Sequence, residues 1–186
     1  MGEVPLAAHA VLMQLWALLS YFVDGLAHSA ETLVGQALGA RDYSDARAVA
    51  KRCTLWGVGV SAVFSVCYFW GMELLVSVFT DHVTVIAAVV GVTFWASAVV
   101  PFNGAVYIWD GVFIGANDTR FLFGGMAVAS FVCFLPAFLI LVHGFDLGLA
   151  GAWMGLNVLM LARFGVLLSR FRSDKWMHST VGDALR

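Results

Sequence analysis

Apolar residues run in five long stretches along this chain, at about 5–39, 49–77, 83–117, 121–142 and 147–171. Short polar punctuation separates them: RDYSDAR, TDH, NDTR and HGFD. Each stretch is long enough to cross ~30 Å of hydrocarbon as a helix. The pattern therefore predicts an all-α polytopic membrane protein with about five transmembrane helices over 1–172, followed by a tail at 173–186. The first and third stretches exceed a perpendicular crossing, so each is expected to tilt, kink or protrude. Gly25 and Pro101 are the candidate kink points.

Within the apolar stretches, polar residues recur at helical spacing. Tyr21, Asp24, His28, Glu31 and Gly35 follow steps of 3 and 4, as do Asn103, Tyr107 and Asp110. Such steps place residues on one helical face. Carboxylates facing lipid are costly, so both stripes are expected to face a bundle interior or a wet cavity. Glu31, Asp110 and Arg163 lie at matching depths, roughly 10–13 Å from the same membrane boundary at 1.5 Å per residue. A lone buried charge costs far more than a paired one, so Arg163 is expected to pair with Asp110 or Glu31. Asp24, near mid-membrane, has no evident partner beyond His28. It is the candidate for a group that takes up and releases a proton. Asp110 with Arg163 reads first as a structural pair, His28 as a satisfied interior histidine, and Glu31 as open between the two roles. Asn103 and Asn157 are expected to hydrogen-bond between helices. Trp16, Trp56, Trp95 and Trp153 are read as lipid contact and interfacial belt, and the remaining histidines carry no assigned role.

Composition agrees with a lipid solvent. The chain is 61% hydrophobic and 12% charged with a mean hydropathy of +0.89, whereas soluble domains run near 25% charged. A net charge of −2 gives no basic footprint for nucleic acid. Cys53, Cys67 and Cys133 sit in apolar runs without C-x-x-C spacing, and read as small buried hydrophobes with neither disulfide nor zinc. No metal site, nucleophile elbow or phosphate loop is present in the pattern, so an enzyme is not expected. The distribution of basic residues orients the spans. Arg41, Arg47, Lys51 and Arg52 fall between spans one and two, Arg120 between three and four, and Arg170, Arg172, Lys175 and Arg186 at or after the end of span five. The positive-inside rule puts these on the cytoplasmic side. Met1 then falls outside, and the expected reason is a missing upstream span: the chain reads as the tail of a longer protein.

One glycine pattern occurs twice. GQALGARD (35–42) and GVFIGAND (111–118) both read G-x-x-x-G-A-x-D, each at a cytoplasmic exit. G-x-x-x-G lets helices approach closely in a membrane, so Gly35, Gly39, Gly111 and Gly115 are expected to pack helices, with Gly151 and Gly155 as a third pair. Asp118 fits an N-cap before span four.

Taken together, LAAHAVLMQLWALLSYFVDGLAHSAETLVGQALGARD (6–42), LLVSVFTDHVTVIAAVV (74–90), DGVFIGANDTR (110–120) and GLAGAWMGLNVLMLAR (148–163) resemble the MATE family of multidrug and toxic-compound extrusion transporters, and within it the DinF-like subgroup. The resemblance covers nearly the whole chain. It implies spans eight to twelve of a twelve-span protein, that is, most of one six-helix lobe, with the N-terminal lobe and seventh helix having no counterpart here. It further implies an antiporter of the bacterial-type inner membrane with a cytoplasmic C-terminus. Such an antiporter exports amphipathic, often cationic compounds in exchange for protons and uses no cofactor. Sodium-coupled relatives carry an acid at the position of Asn103, a neutral amide here, so the resemblance implies H+ rather than Na+. The candidate substrate or proton residues are then Asp24, His28, Glu31, Asn103, Tyr107 and Asp110. The competing reading is a non-transporting membrane scaffold or a decayed transporter fragment.

Overall fold

The computed structural model describes residues 2–178. Span one is a single helix, Glu3–Gly39, unbroken through Gly25. At 1.5 Å per residue its 37 residues reach about 55 Å, well beyond the hydrocarbon. Its buried face is the small-residue and leucine stripe Ala8, Leu12, Leu15, Leu19, Val23, Ala27, Ala30 and Val34. The polar stripe lies one residue round from this seam. It therefore borders the packed interior instead of forming it: Tyr21 and His28 are exposed, while Asp24, Glu31 and Gly35 are half-buried. Span two, Tyr43–Ser77, begins inside the polar punctuation, because Asp42 caps it by accepting from the Asp45 N–H at 2.9 Å.

The third apolar run, read as one crossing, is broken twice. It forms Val83–Val90, a turn at 91–92, then Thr93–Ser97, a second turn at 98–99, and Val100–Gly115. Pro101 stands in the first turn of the last segment, starting a helix there instead of kinking one. It has no N–H to give the Ser97 carbonyl four residues back. Ser65 Oγ of span two donates to that carbonyl instead, at 2.9 Å. The stretch Thr93–Gly115 is long and apolar enough to cross a membrane, as are the first two spans, Thr119–Gly144 and Gly148–Arg172.

Spans one, two and three pack on each other and hold the core. Spans two and three meet backbone to backbone, since a Cβ on Gly104 would lie 2.3 Å from the Gly57 carbonyl oxygen. Span four is peripheral; only Gly125 and Ala129 are buried along it. It carries π-turns at Val128–Phe134 and Ile140–Gly144, on either side of the segment holding Pro136. Span five lies against it, with Gly151 next to the Leu141 carbonyl and Gly155 next to Phe138.

Part of the expected tail is built into the bundle. Asp174–His178 forms a 3-10 turn that buries Trp176. Arg47 donates to the Phe171 carbonyl at 2.8 Å and pairs with Asp174, tying the start of span two to the end of span five. The rest of the tail, including Arg186, lies outside the described residues. Of the cysteines, Cys67 is exposed on the surface of the bundle, contrary to a buried reading, and Cys53 and Cys133 are half-buried.

The repeated glycine motif ends two helices in the same way. In the first copy Asp42 N–H bonds the Ala37 carbonyl at 2.9 Å and Arg41 N–H the Leu38 carbonyl at 3.0 Å. In the second, Asp118 N–H bonds Phe113 at 2.8 Å and Asn117 N–H bonds Ile114 at 2.9 Å. This pair of bonds is the Schellman ending. It puts Arg41 (φ 60°) and Asn117 (φ 57°) in the left-handed region, and none of the four motif glycines. A residue with a Cβ, such as Arg, pays about 1 kcal/mol or more there, and Asn less. Arg41→Gly should therefore raise stability by about 1 kcal/mol and Asn117→Gly by less, read by denaturant titration in detergent; a loss at Arg41 would contradict the assignment.

Candidate functional site

Two glycines of span three decide where its polar residues meet span one. A Cβ on Gly111 would lie 2.3 Å from the Ala27 carbonyl oxygen, and one on Gly115 would lie 2.3 Å from that of Glu31. Gly35 completes the contact, at 3.3 Å from the Gly115 carbonyl oxygen, whereas Gly39 touches nothing within 4 Å and packs no helix. With the backbones this close, the side chains flanking the crossing converge. Asp24, His28 and Glu31 from span one, and Tyr107, Asp110 and Ile114 from span three, line one open cavity of about 120 Å³.

The polar groups of this cavity are held differently. The Tyr107 hydroxyl accepts from Trp16 Nε1 at 2.9 Å, and Ser20 Oγ lies 3.3 Å from it and 3.1 Å from the Trp16 carbonyl. With its oxygen occupied as an acceptor, Tyr107 keeps its own proton to donate. Arg163 of span five reaches Asp110 Oδ2 at 2.5 Å, and both side chains are largely buried. Asp110 Oδ1 and Arg163 Nε have no hydrogen-bond partner among the described residues. His28 Nδ1 and Glu31 Oε2 stand 3.4 Å apart at the rim, with the His28 side chain 80% exposed. A contact so open to solvent contributes little, so His28 is not the satisfied interior histidine its spacing suggests. Asp24 makes no hydrogen bond or ion pair among the described residues. Of the three carboxylates lining the cavity, Asp110 has a guanidinium partner, Glu31 stands beside His28, and Asp24 has neither among the described residues.

Asn103 does not join this group. It is fully buried, and neither its amide nitrogen nor its oxygen has a hydrogen-bond partner among the described residues; Asn157 Oδ1 is in the same position. The expected interhelical amide bonds are therefore not formed within these residues. Trp153 is also reassigned. It is 1% exposed and packs on Trp16 at 5.7 Å, so it is core and not lipid contact.

Three contributors escaped the sequence reading. Trp16 and Ser20 anchor Tyr107 from two turns and one turn above Asp24 on span one, respectively. Asp118 stands at the N-cap of span four but caps nothing; it accepts Arg170 Nε at 2.6 Å and Nη2 at 3.0 Å, while Arg170 lies over the Phe121 ring at 4.8 Å. The signal was available: Arg163 and Arg170 are two turns apart on span five, matching the interval from Asp110 to Asp118.

Comparison with known proteins gives one family by sequence and a matching fold by structure. Residues 1–140 match MatE. Protein DETOXIFICATION 42 of Arabidopsis thaliana is 31% identical over 89% of the chain and 32% of its own length. DNA damage-inducible protein F of Escherichia coli K12 is 31% identical over 97% of the chain and 38% of its own length. In fold, the chain is similar to the crystal structure of the eukaryotic MATE transporter AtDTX14, with a TM-score of 0.88 over 95% of this chain and 40% of that one, at 19% identity. The chain spans about a third of the length of the curated relatives it matches.

Proposed function

The chain belongs to the MatE family, and from that we propose that it forms the C-terminal-lobe part of a cation-coupled multidrug efflux antiporter, working with an N-terminal lobe. The observation that carries the reading is the single cavity shared by Asp24, His28, Glu31, Tyr107 and Asp110, in which Arg163 neutralises Asp110 and leaves Asp24 free. An acid without a fixed counter-ion can hold a proton in one state and attract a cationic, amphipathic compound in the other. Tyr107 donates to the bound group, and Glu31 adds negative charge at the rim. The proposed coupling ion is H+ and not Na+: the position at which the resemblance puts the acid of sodium-coupled relatives is held here by Asn103, a neutral amide outside this cavity. The basic loops and the end of span five support a cytoplasmic C-terminus in an inner membrane of bacterial type. Two lobes rocking about a midplane site would give alternating access.

Proton-driven dye efflux in everted vesicles tests the reading. The chain supplied with an N-terminal lobe should transport, the chain alone should not, and Asp24→Asn should lower efflux by about tenfold or more while Asp24→Glu keeps a part of it. Transport by the chain alone would remove the dependence on a second lobe. Unchanged transport by Asp24→Asn would remove Asp24 from the exchange.

A further inference from the structure

A cleft opens on the outside of the bundle between spans two and three, at the end opposite the basic loops. It measures about 370 Å³, and its lining includes Phe69, Trp70 and Glu73 of span two and Val90, Thr93 and Phe94 of span three. The break in span three borders it: the helix stops at Val90, turns at 91–92 and restarts at Thr93. Trp70 and Glu73 are three residues apart and share a helical face. Phe69 and Trp70 meet edge to face at 5.5 Å. Phe69, Trp70, Glu73 and Phe94 are all exposed, so the cleft is open to entry from the side.

The depth of Glu73 follows from span two itself. Lys51 and Arg52 hold the first turns of that helix in the polar layer at the basic side. About 20 residues of helix cross the hydrocarbon from there, which places residue 73 at the opposite boundary. A carboxylate at that depth calls for a counter-charge or water. Glu73 makes no hydrogen bond or ion pair among the described residues. The sequence has no Lys or Arg over 1–40, 53–119 or 121–162, so the segments reaching this end bring none, while they bring Glu3, Glu73, Asp81 and Asp146. His9, His82 and His143 also lie at this end, but not in the lining of the cleft.

The chemistry that fits is a cation carried at headgroup depth on an apolar body. An anionic headgroup would meet only like charge. A primary ammonium can donate to the Glu73 carboxylate, and aromatic faces such as those of Trp70 and Phe94 attract a cation. Tryptophan is itself characteristic of the membrane boundary. We propose that this cleft binds an aminophospholipid of the phosphatidylethanolamine type, with its ammonium on Glu73 beside Trp70 and its first acyl carbons along Phe69 and Phe94. The inference needs the chain to span a membrane, but it does not depend on the exchange proposed at Asp24.

The test uses the full chain, delipidated in detergent and titrated with phosphatidylethanolamine, phosphatidylcholine or phosphatidylglycerol of identical acyl chains. Bound lipid is counted by native mass spectrometry. Phosphatidylethanolamine should bind about fivefold more tightly than phosphatidylcholine, whose trimethylammonium has no N–H to donate, and phosphatidylglycerol should bind most weakly. Glu73→Gln should remove the advantage over phosphatidylcholine with the helical spectrum unchanged, since the side chain is exposed. Glu73→Asp should keep part of it, and Trp70→Ala should weaken both zwitterionic lipids about threefold. Equal affinity for the ethanolamine and choline lipids overturns the proposal, the contact then being an unselective annular lipid. So does an ethanolamine preference that survives Glu73→Gln. Displacement of the bound lipid by millimolar free ethanolamine assigns the cleft to a soluble amine and overturns the lipid. Absence of any saturable lipid adduct, the result expected if another helix covers the cleft, overturns it as well.

Discussion

Arg163→Met should cost about 3–5 kcal/mol of stability, because it strands Asp110 in a buried setting without the charged partner it has among the described residues. Asp110 already has one oxygen without a hydrogen-bond partner among the described residues, so Arg163 Nη2 at 2.5 Å carries most of its compensation. Asp110→Leu alone leaves the guanidinium stranded and should cost nearly as much. Removing both charges, Arg163→Met with Asp110→Leu, should recover most of the loss, since a buried pair replaced by apolar groups is often neutral or better. The measurement is a double-mutant cycle by denaturant titration in detergent. A double variant no more stable than the sum of the singles would mean the pair contributes no coupling. The same cycle separates structure from transport. If the proposed role of Asp24 holds, the double variant should keep a substantial part of the efflux that Asp24→Asn loses.

The number of crossings, their order and the pairing depth of Arg163 were legible because they follow from length, hydropathy and rise per residue, which act locally. The polar stripe of span one was legible as a face but not as a location. Periodicity shows which residues share a side, whereas which side is buried depends on what packs there, and the seam of Ala27, Ala30 and Val34 lies one residue round. The break of the third run was half-legible. Pro101 marked the place, but the hydroxyl that takes over the Ser97 carbonyl comes from Ser65 in another span, and no local pattern announces such a partner. The role of Asp118 was misread for a related reason. An aspartate before a helix is a good cap in isolation, but a buried bidentate guanidinium from Arg170 is a stronger claim on the same oxygens.

The glycines make the sharpest separation between motif and contact, and they set the second large effect. Gly111→Ala and Gly115→Ala should each cost about 3 kcal/mol. In each case the new methyl meets a backbone carbonyl at 2.3 Å, of Ala27 and of Glu31 respectively, and a backbone cannot rotate away as a side chain can. Span one would have to withdraw from span three by about an ångström. That forfeits dispersion along the whole seam, and in lipid no hydrophobic drive restores the contact. Gly35→Ala meets the Gly115 carbonyl oxygen at a less severe 3.3 Å and should cost less. Gly39→Ala meets nothing within 4 Å and should be neutral or slightly stabilising, since Ala favours helix over Gly by up to about 1 kcal/mol. The four positions are equivalent as a repeated G-x-x-x-G, so a motif-level account expects equal effects, and a graded series by denaturant titration would decide between the two. The same substitutions bear on the site. Asp24, Glu31, Tyr107 and Asp110 converge because span one sits directly on Gly111 and Gly115. Widening that contact should therefore weaken the exchange proposed at Asp24 in proportion to the loss of stability, without touching a single charged residue.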